Sequence, residues 1–334
     1  MRKPLRTEIG GRPKGDSAAR QIDAADAVRL SRYWYPRYWP VWLFILWLRF
    51  AAALPWRMAI MLHKGLGRAA GALSGRRGRV VRRNLEICFP ELSHSEREAL
   101  AKRFYANLGA FIGEIGIAWF GSGVHKRFRI EGIEYLHGAL AKGKGVLLFS
   151  GHFTPLEISV PVIKSLVPFF AFMFRERRNA LFNAMQTRGR LRTAHVALVN
   201  NDIRVVLKML SRNAVVWYAP DEARIDSGEL LPFFGEPAMT STATSRLARL
   251  SGATIIPMFF RRLADESGYL LRFQAPLVDL PTDDATHDTR RLISVLEGFV
   301  RECPEQYFWT PRRFKDRPGG LPNAYQSGRV ESRD

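Results

Sequence analysis

The chain is poor in cysteine and, over one long stretch, has no acidic residue at all. Two cysteines, Cys88 and Cys303, stand far apart in 334 residues. That excludes a disulfide framework and a Cys-x-x-Cys metal site. No G-x-S-x-G, H-E-x-x-H or Walker A sequence occurs, so a serine nucleophile elbow, a zinc peptidase helix and a phosphate-cradling P-loop are also out. GLGRAAG (65–71) has the glycines of a dinucleotide loop but follows no strand pattern, which removes its meaning. The remaining chemistry is expected to need neither metal nor cofactor. There is no internal repeat. A disordered polar chain is excluded too, because 47% of the residues are hydrophobic and 12% aromatic, enough to bury a core.

The acid-free stretch runs from residue 27 to residue 85 and carries 12 basic groups. It dominates an uneven charge: residues 1–130 are net +15, residues 131–334 net +5, for a total of +20. Such a balance calls for an anionic partner, whether a membrane surface, an acidic protein or nucleic acid. Inside it lies the most apolar segment, WPVWLFILWLRFAAALPW (39–56), with Trp34, Tyr33, Tyr35 and Tyr38 just before it. Tryptophan and tyrosine favour the bilayer interface, where the ring is apolar and its polar tip stays wet. The 14 residues between the flanking prolines, 41–54, give roughly 21 Å of helix, against a hydrocarbon core of about 30 Å. With 9 basic groups over 1–38 and 8 over 57–83, both flanks prefer the cytoplasm. The segment is therefore expected to lie in the interface rather than span it. RRGRVVRR (76–83) could grip nucleic-acid phosphates, but no zinc-finger spacing, RNA-binding aromatic signature or zipper accompanies it. Beside an aromatic apolar helix, the basic run reads as a patch for anionic lipid headgroups, with no nucleic acid partner expected.

The expected organisation is a flexible basic tail over 1–30, a membrane-anchoring segment over 31–56, a large domain over 57–320 and a C-terminal tail over 321–334. In the large domain, residues 57–127 read as helical, with periodic runs over 57–73 and 95–120 and Ser95 as an N-cap. From 128 onward, short apolar runs alternate with helical stretches. Strands are expected at 145–149, 169–174, 196–199, 215–218, 253–260 and 269–273, and helices near 155–166, 179–191, 202–212, 240–250 and 286–302. Apolar β-branched and aromatic runs separated by helices imply an α/β fold with a mainly parallel sheet covered on both faces.

In such sheets, ligands bind beyond the carboxyl ends of the strands. Ser150-Gly151-His152 follows the first of these strands, Arg175 the second, Asn200-Asn201 the third and Pro220-Asp221-Glu222 the fourth, so a histidine, an arginine and an acid share one edge. His152 and Glu157 form H-x4-E in SGHFTPLEI. A carboxylate in the first turn of the following helix can hold an imidazole in one tautomer, making it a general base for an alcohol. The same residues read equally as a capping box, Thr154-x-x-Glu157 with Pro155 at the first helical position.

The chain resembles the late acyltransferases of lipid A biosynthesis, the lauroyl and myristoyl transferases of the wider glycerolipid acyltransferase superfamily. The matching stretches, in family order over about residues 40–320, are RRNLEICFPELSHSER (82–97), GHFTPLEI (151–158), FRERRNALFNAMQTRGR (174–190), VVWYAPDEA (215–223), LLPFFGEPAMTSTATSRLARLSGATIIPMFFRR (230–262) and PEQYFWTPRRFKDRP (304–318). The resemblance implies transfer of a fatty acyl chain from acyl carrier protein, or coenzyme A, to a hydroxyl of a phosphorylated glucosamine disaccharide, the lipid A precursor. It implies residence on the cytoplasmic face of a Gram-negative inner membrane. It makes His152 the base and Glu157 its orienting acid. Arg175 is placed to bind a phosphate or steady the oxyanion, Asp221 matches the acid after the YAP segment, and Arg178 and Arg224 are candidate phosphate ligands. Phe233, Phe234 and Gly235 match a block expected to wall the acyl groove. Two positions depart from the family pattern: Gly151 stands where an asparagine often precedes the histidine, and Arg175-Glu176-Arg177 replaces the usual Arg-Pro. Three other readings stay open: an acyltransferase for another lipid (a mannosylated phosphoinositide or ornithine lipid), a thioester hydrolase, and a basic binding protein without catalysis.

Overall fold

The computed structural model describes residues 30–174, 179–199, 203–221, 228–315 and 324–325. Its centre is a seven-stranded sheet in the order β1-β9-β8-β2-β5-β3-β4. The strands are β1 (Phe128–Glu131), β2 (Val146–Phe149), β3 (Phe170–Phe174), β4 (Val196–Val199), β5 (Val215–Tyr218), β8 (Thr254–Arg262) and β9 (Tyr269–Phe273). All neighbours pair in parallel except β8 and β9, which are antiparallel. VLLF in β2 and VVWY in β5 are buried at every position, which is why these runs do not alternate. The flanking helices are α5 (Ile133–Ala141), α6 (Leu156–Leu166), α7 (Ala180–Thr193), α8 (Ile203–Leu210), α9 (Ala243–Ser251) and α10 (Ala285–Glu302). The six expected strands are all present, with ends moved by two residues at most. The α/β architecture with a mainly parallel sheet is therefore the one observed.

Four elements, in two places, depart from the expectation. β1 and α5 form from a segment read only as the start of the domain. A separate antiparallel hairpin joins β6 (Glu229–Phe233) to β7 (Glu236–Thr240). Its two-residue turn, Phe234-Gly235, has both φ angles positive, at 53° and 80°. That is the backbone a two-residue hairpin turn of this hand requires, and it is the reason for a glycine at 235. The hairpin was hidden because Pro232 and Pro237 lie inside its strands; they face each other in the register, where neither is asked to extend a wider sheet.

Before the sheet come α1 (Trp39–Ala53), α2 (Trp56–Ala72), α3 (Gly75–Cys88) and α4 (His94–Phe120). α4 starts one residue earlier than read: Ser93, not Ser95, is the N-cap, in a reciprocal capping box with Glu96. The glycines of 65–71 belong to α2 and serve packing. A Cβ on Gly67 would stand 2.2 Å from the Tyr105 carbonyl oxygen and 2.8 Å from the Gly109 Cα, so only glycine lets α2 and α4 cross this closely. α4 is tied to the sheet by a buried cluster in which Arg262 donates to Glu114 (2.5 and 2.9 Å) and to Asn107, while the Tyr269 hydroxyl donates to Glu114. Burial opposes the charge on Arg262, but Glu114 and Tyr269 more than offset it and hold its pKa above the ordinary value.

Leu48 of α1 and Ala59 of α2 belong to the same continuous core as the sheet, so the segment expected to anchor the chain packs into the body of the fold. α1 has 15 residues, and no described helix is long and apolar enough to cross a membrane. Its outer side is nonetheless apolar: Trp39, Leu43, Leu46 and Phe50, continued by Met58, Met61 and Leu66 of α2, are exposed.

Candidate active site

The register of β2 and β5 determines what meets at the sheet edge. Phe149 lies opposite Tyr218 in a parallel pair. Three residues beyond the end of each strand come His152 and Asp221, and they touch. His152 Nδ1 lies 2.7 Å from Asp221 Oδ1, and the backbone N–H of His152 donates to Oδ2 at 2.9 Å. The Tyr307 hydroxyl donates to the same Oδ2 at 3.0 Å. Tyr307 is delivered by the segment after α10, which bridges Phe153 and whose Phe308 N–H donates to the His152 carbonyl at 3.0 Å. Gly151 has its own reason here: a Cβ would meet Leu296 at 2.5 Å and Asp221 Oδ2 at 3.2 Å, so any larger residue would push into the pair.

Asp221 is buried and His152 is partly exposed, with 29% of its side chain open to solvent. Burial pushes the Asp221 carboxyl up, but the charge of His152, its two hydrogen bonds and the nearby Arg313 bring it down to about 2. An ionised carboxylate only accepts, so His152 Nδ1 carries the proton and the lone pair of the neutral ring is on Nε2. Burial and the neighbouring Asp221 hold the Tyr307 phenol well above its ordinary range, so it stays a donor. The small cavity against His152 is also lined by Asn84 and Arg313. Asn84 donates to the carbonyls of Trp309 and Pro311 and accepts from the Tyr325 hydroxyl. Arg313 donates to the Met239 carbonyl and to Thr240 Oγ1 (2.6 Å), and its guanidinium lies over the Phe233 ring at 5.2 Å.

Glu157 does not orient His152. It is buried behind it, accepting from Arg190 Nη2 at 2.5 Å and from Trp119 Nε1 at 3.3 Å. Nor does it cap α6: the helix has no side-chain cap, and Thr154 Oγ1 is buried without a partner. The acid at the His152 ring is Asp221, the acid after the YAP segment, for which the resemblance implies no such role. Among the described residues, a series of ring contacts leads from Glu157 to the His152 ring. Arg190 sits over Phe172 at 4.8 Å, Phe172 stacks on Trp217 at 5.1 Å, and the His152 ring meets Trp217 edge-on at 5.5 Å.

Phe233 is fully buried beside Tyr307, so it backs the site. Phe234 packs against Phe89, its N–H donating to Glu297, and Gly235 is an exposed turn residue at the tip of the hairpin. Arg175, Arg178 and Arg224 lie outside the described residues. Tyr307, Arg313 and Asn84 were not singled out from the sequence, although each falls within a stretch that matched the family. Among the described residues, no group of three or more histidine, cysteine or acidic side chains is placed to hold a metal ion.

The family model for bacterial lipid A biosynthesis acyltransferases matches residues 28–316. The lipid A biosynthesis lauroyltransferase of Escherichia coli (strain K12) is 37% identical over 297 residues, 87% of this chain and 96% of that one. The lipid A biosynthesis palmitoleoyltransferase of the same organism is 35% identical with the same coverage. Among solved structures, the crystal structure of the 1-acyl-sn-glycerophosphate (LPA) acyltransferase PlsC from Thermotoga maritima aligns with a TM-score of 0.36 at 13% identity, over 81% of this chain and 99% of that one.

Proposed function

The chain belongs to the bacterial lipid A biosynthesis acyltransferase family and is an acyltransferase, and from that premise we propose the following reaction and residue roles. The donor is a fatty acyl thioester, on acyl carrier protein or coenzyme A. The acceptor is a hydroxyl of the phosphorylated glucosamine-disaccharide precursor of lipid A. His152 Nε2 takes the proton of that hydroxyl as its oxygen attacks the thioester carbonyl. The tetrahedral intermediate then expels the thiolate, which receives the proton back from the imidazolium. Asp221 holds the ring in this tautomer and stabilises the imidazolium while it exists, and Tyr307 fixes Asp221. The observation that carries this reading is the 2.7 Å contact between His152 Nδ1 and a fully buried Asp221.

A carrier protein is the donor favoured by α3. This helix turns Arg76, Arg77 and Arg79 outward and Asn84 inward, into the lining of the His152 cavity. An acidic partner bound to the outer face would stand next to the reacting centre. The apolar outer side of α1 and α2, in a segment rich in arginine and free of acid, supports residence on an anionic bilayer, the cytoplasmic face of the inner membrane.

The test is acyl transfer by purified enzyme from a defined acyl carrier donor to the lipid A precursor, read by product mass. The His152→Ala variant is expected to lose about 10²–10⁴-fold in rate. Near-normal activity would remove His152 from the chemistry, and an acyl product on water rather than lipid would mark a hydrolase.

A further inference from the structure

A second cavity lies between the N-terminal segment, the end of α4 and the middle of α7. It has a volume of about 310 Å³, at the lower end of the range of roughly 300–1,000 Å³ usual for ligand sites. Its walls are apolar: Trp42, Ile45 and Leu46 from α1, Trp119 from α4 and Met185 from α7. Its polar lining is three arginines, Arg49, Arg188 and Arg192, with no acid among the lining residues. All three are exposed, and none pairs with a carboxylate among the described residues. The Arg49 guanidinium rests over the Phe120 ring at 5.3 Å, so its charge is held at the cavity by that ring.

We infer that this cavity binds one acyl chain of an anionic phospholipid from the surrounding bilayer, with the phosphate held by Arg49, Arg188 and Arg192. Three observations converge. An apolar hollow with a wholly cationic rim is complementary to an amphiphile with an anionic head, and guanidinium groups suit phosphate oxygens. Leu46 belongs both to the cavity wall and to the exposed apolar side of α1, so the cavity opens on the side that is read as facing the membrane. Trp119 forms one wall and also donates to Glu157, whereas His152 and Asp221 line the other cavity, and the two cavities have no lining residue in common. The lipid here is therefore a resident of the fold, distinct from the acceptor at His152. The inference rests on the reading that α1 and α2 meet a bilayer.

The experiment compares the full-length protein with Arg49→Gln/Arg188→Gln/Arg192→Gln and with Leu46→Trp, which fills the mouth from an exposed position. Each is equilibrated with equimolar phosphatidylglycerol and phosphatidylcholine. Vesicle co-sedimentation reports membrane binding, and native mass spectrometry after detergent exchange counts retained lipid. The wild-type protein is expected to keep one phosphatidylglycerol, not displaced by inorganic phosphate. Both variants are expected to sediment with vesicles yet keep the lipid about tenfold less, the equivalent of roughly one charge-assisted contact. Wild-type protein that sediments but retains no lipid, or variants that retain as much as wild type, would overturn the inference while leaving the membrane reading intact. Failure of the wild type to sediment would overturn both.

Discussion

Asp221 accepts three hydrogen bonds in a place water does not reach, and two of them come from one residue. Its carboxyl is at about 2 where 3.8 is usual, so the contribution it makes to stability is fully present above about pH 4 and is lost as the pH falls toward 2. The difference is worth about 2 kcal/mol. Thermal unfolding followed between pH 4 and 2 should therefore fall more steeply for the wild type than for Asp221→Asn. The same variant should lose about 10²–10⁴-fold in acyl transfer, because an amide can present its NH₂ to Nδ1 and so favour the wrong tautomer. Glu157 makes the contrasting case. Its partner is the buried guanidinium of Arg190, so Glu157→Ala removes the carboxylate from a buried ion pair and should cost about 3–5 kcal/mol of stability. A melting temperature lowered far more by Glu157→Ala than by Asp221→Asn would separate the two acids; equal melting temperatures would contradict the assignment. Chain proximity suggested Glu157 because H-x4-E keeps both groups in one loop and helix. The acid in reach was instead set by which strands are neighbours, and β5 beside β2 is a fact of strand order that no local spacing records. The edge itself was legible: His152 and Asp221 were both read as residues following strands.

At the scale of elements, the strands buried on both sides were read to within a residue or two, because runs such as VLLF and VVWY have one interpretation. The elements missed were those with mixed signals: β1, where Arg129 and Glu131 interrupt a four-residue run, and the hairpin, with a proline in each strand. Helix crossings were equally invisible, since a glycine reveals its purpose only when the facing backbone is known. Gly109 meets the His63 carbonyl at 2.0 Å from an added Cβ, so Gly109→Leu should separate α2 from α4 and lower the melting temperature, with helix content kept. An unchanged melting temperature would mean that the crossing is looser than it looks. α3 carries the other prediction. If its outward arginines receive an acidic carrier, Arg76→Gln/Arg77→Gln/Arg79→Gln should raise KM for an acyl carrier protein donor about tenfold at low salt, with kcat unchanged. The KM for the matching coenzyme A donor should hardly move. Equal effects on both donors would take the carrier off this helix.

For the molecule as a whole, the charge of +20 has a location that the fold makes concrete. Its excess sits on helices that share the catalytic core, so whatever they bind is held at a fixed position relative to His152. The side of α1 and α2 that faces away from that core shows Leu43, Leu46, Phe50 and Met61 to solvent. A folded chain rarely leaves so many large apolar side chains together without a partner. Interfacial binding needs both terms, apolar burial and attraction to anionic headgroups, and each can be removed separately. Leu43→Ser/Phe50→Ser/Met61→Ser should reduce co-sedimentation with both neutral and anionic vesicles, whereas raised salt should reduce only the anionic preference of the wild type. Activity on acceptor dispersed in detergent should survive the triple substitution, because none of the three side chains lines the His152 cavity. Activity on acceptor embedded in vesicles should fall with the loss of binding. Loss of both activities together would mean that this face supports the fold rather than docking it, and the charge would then need a different partner.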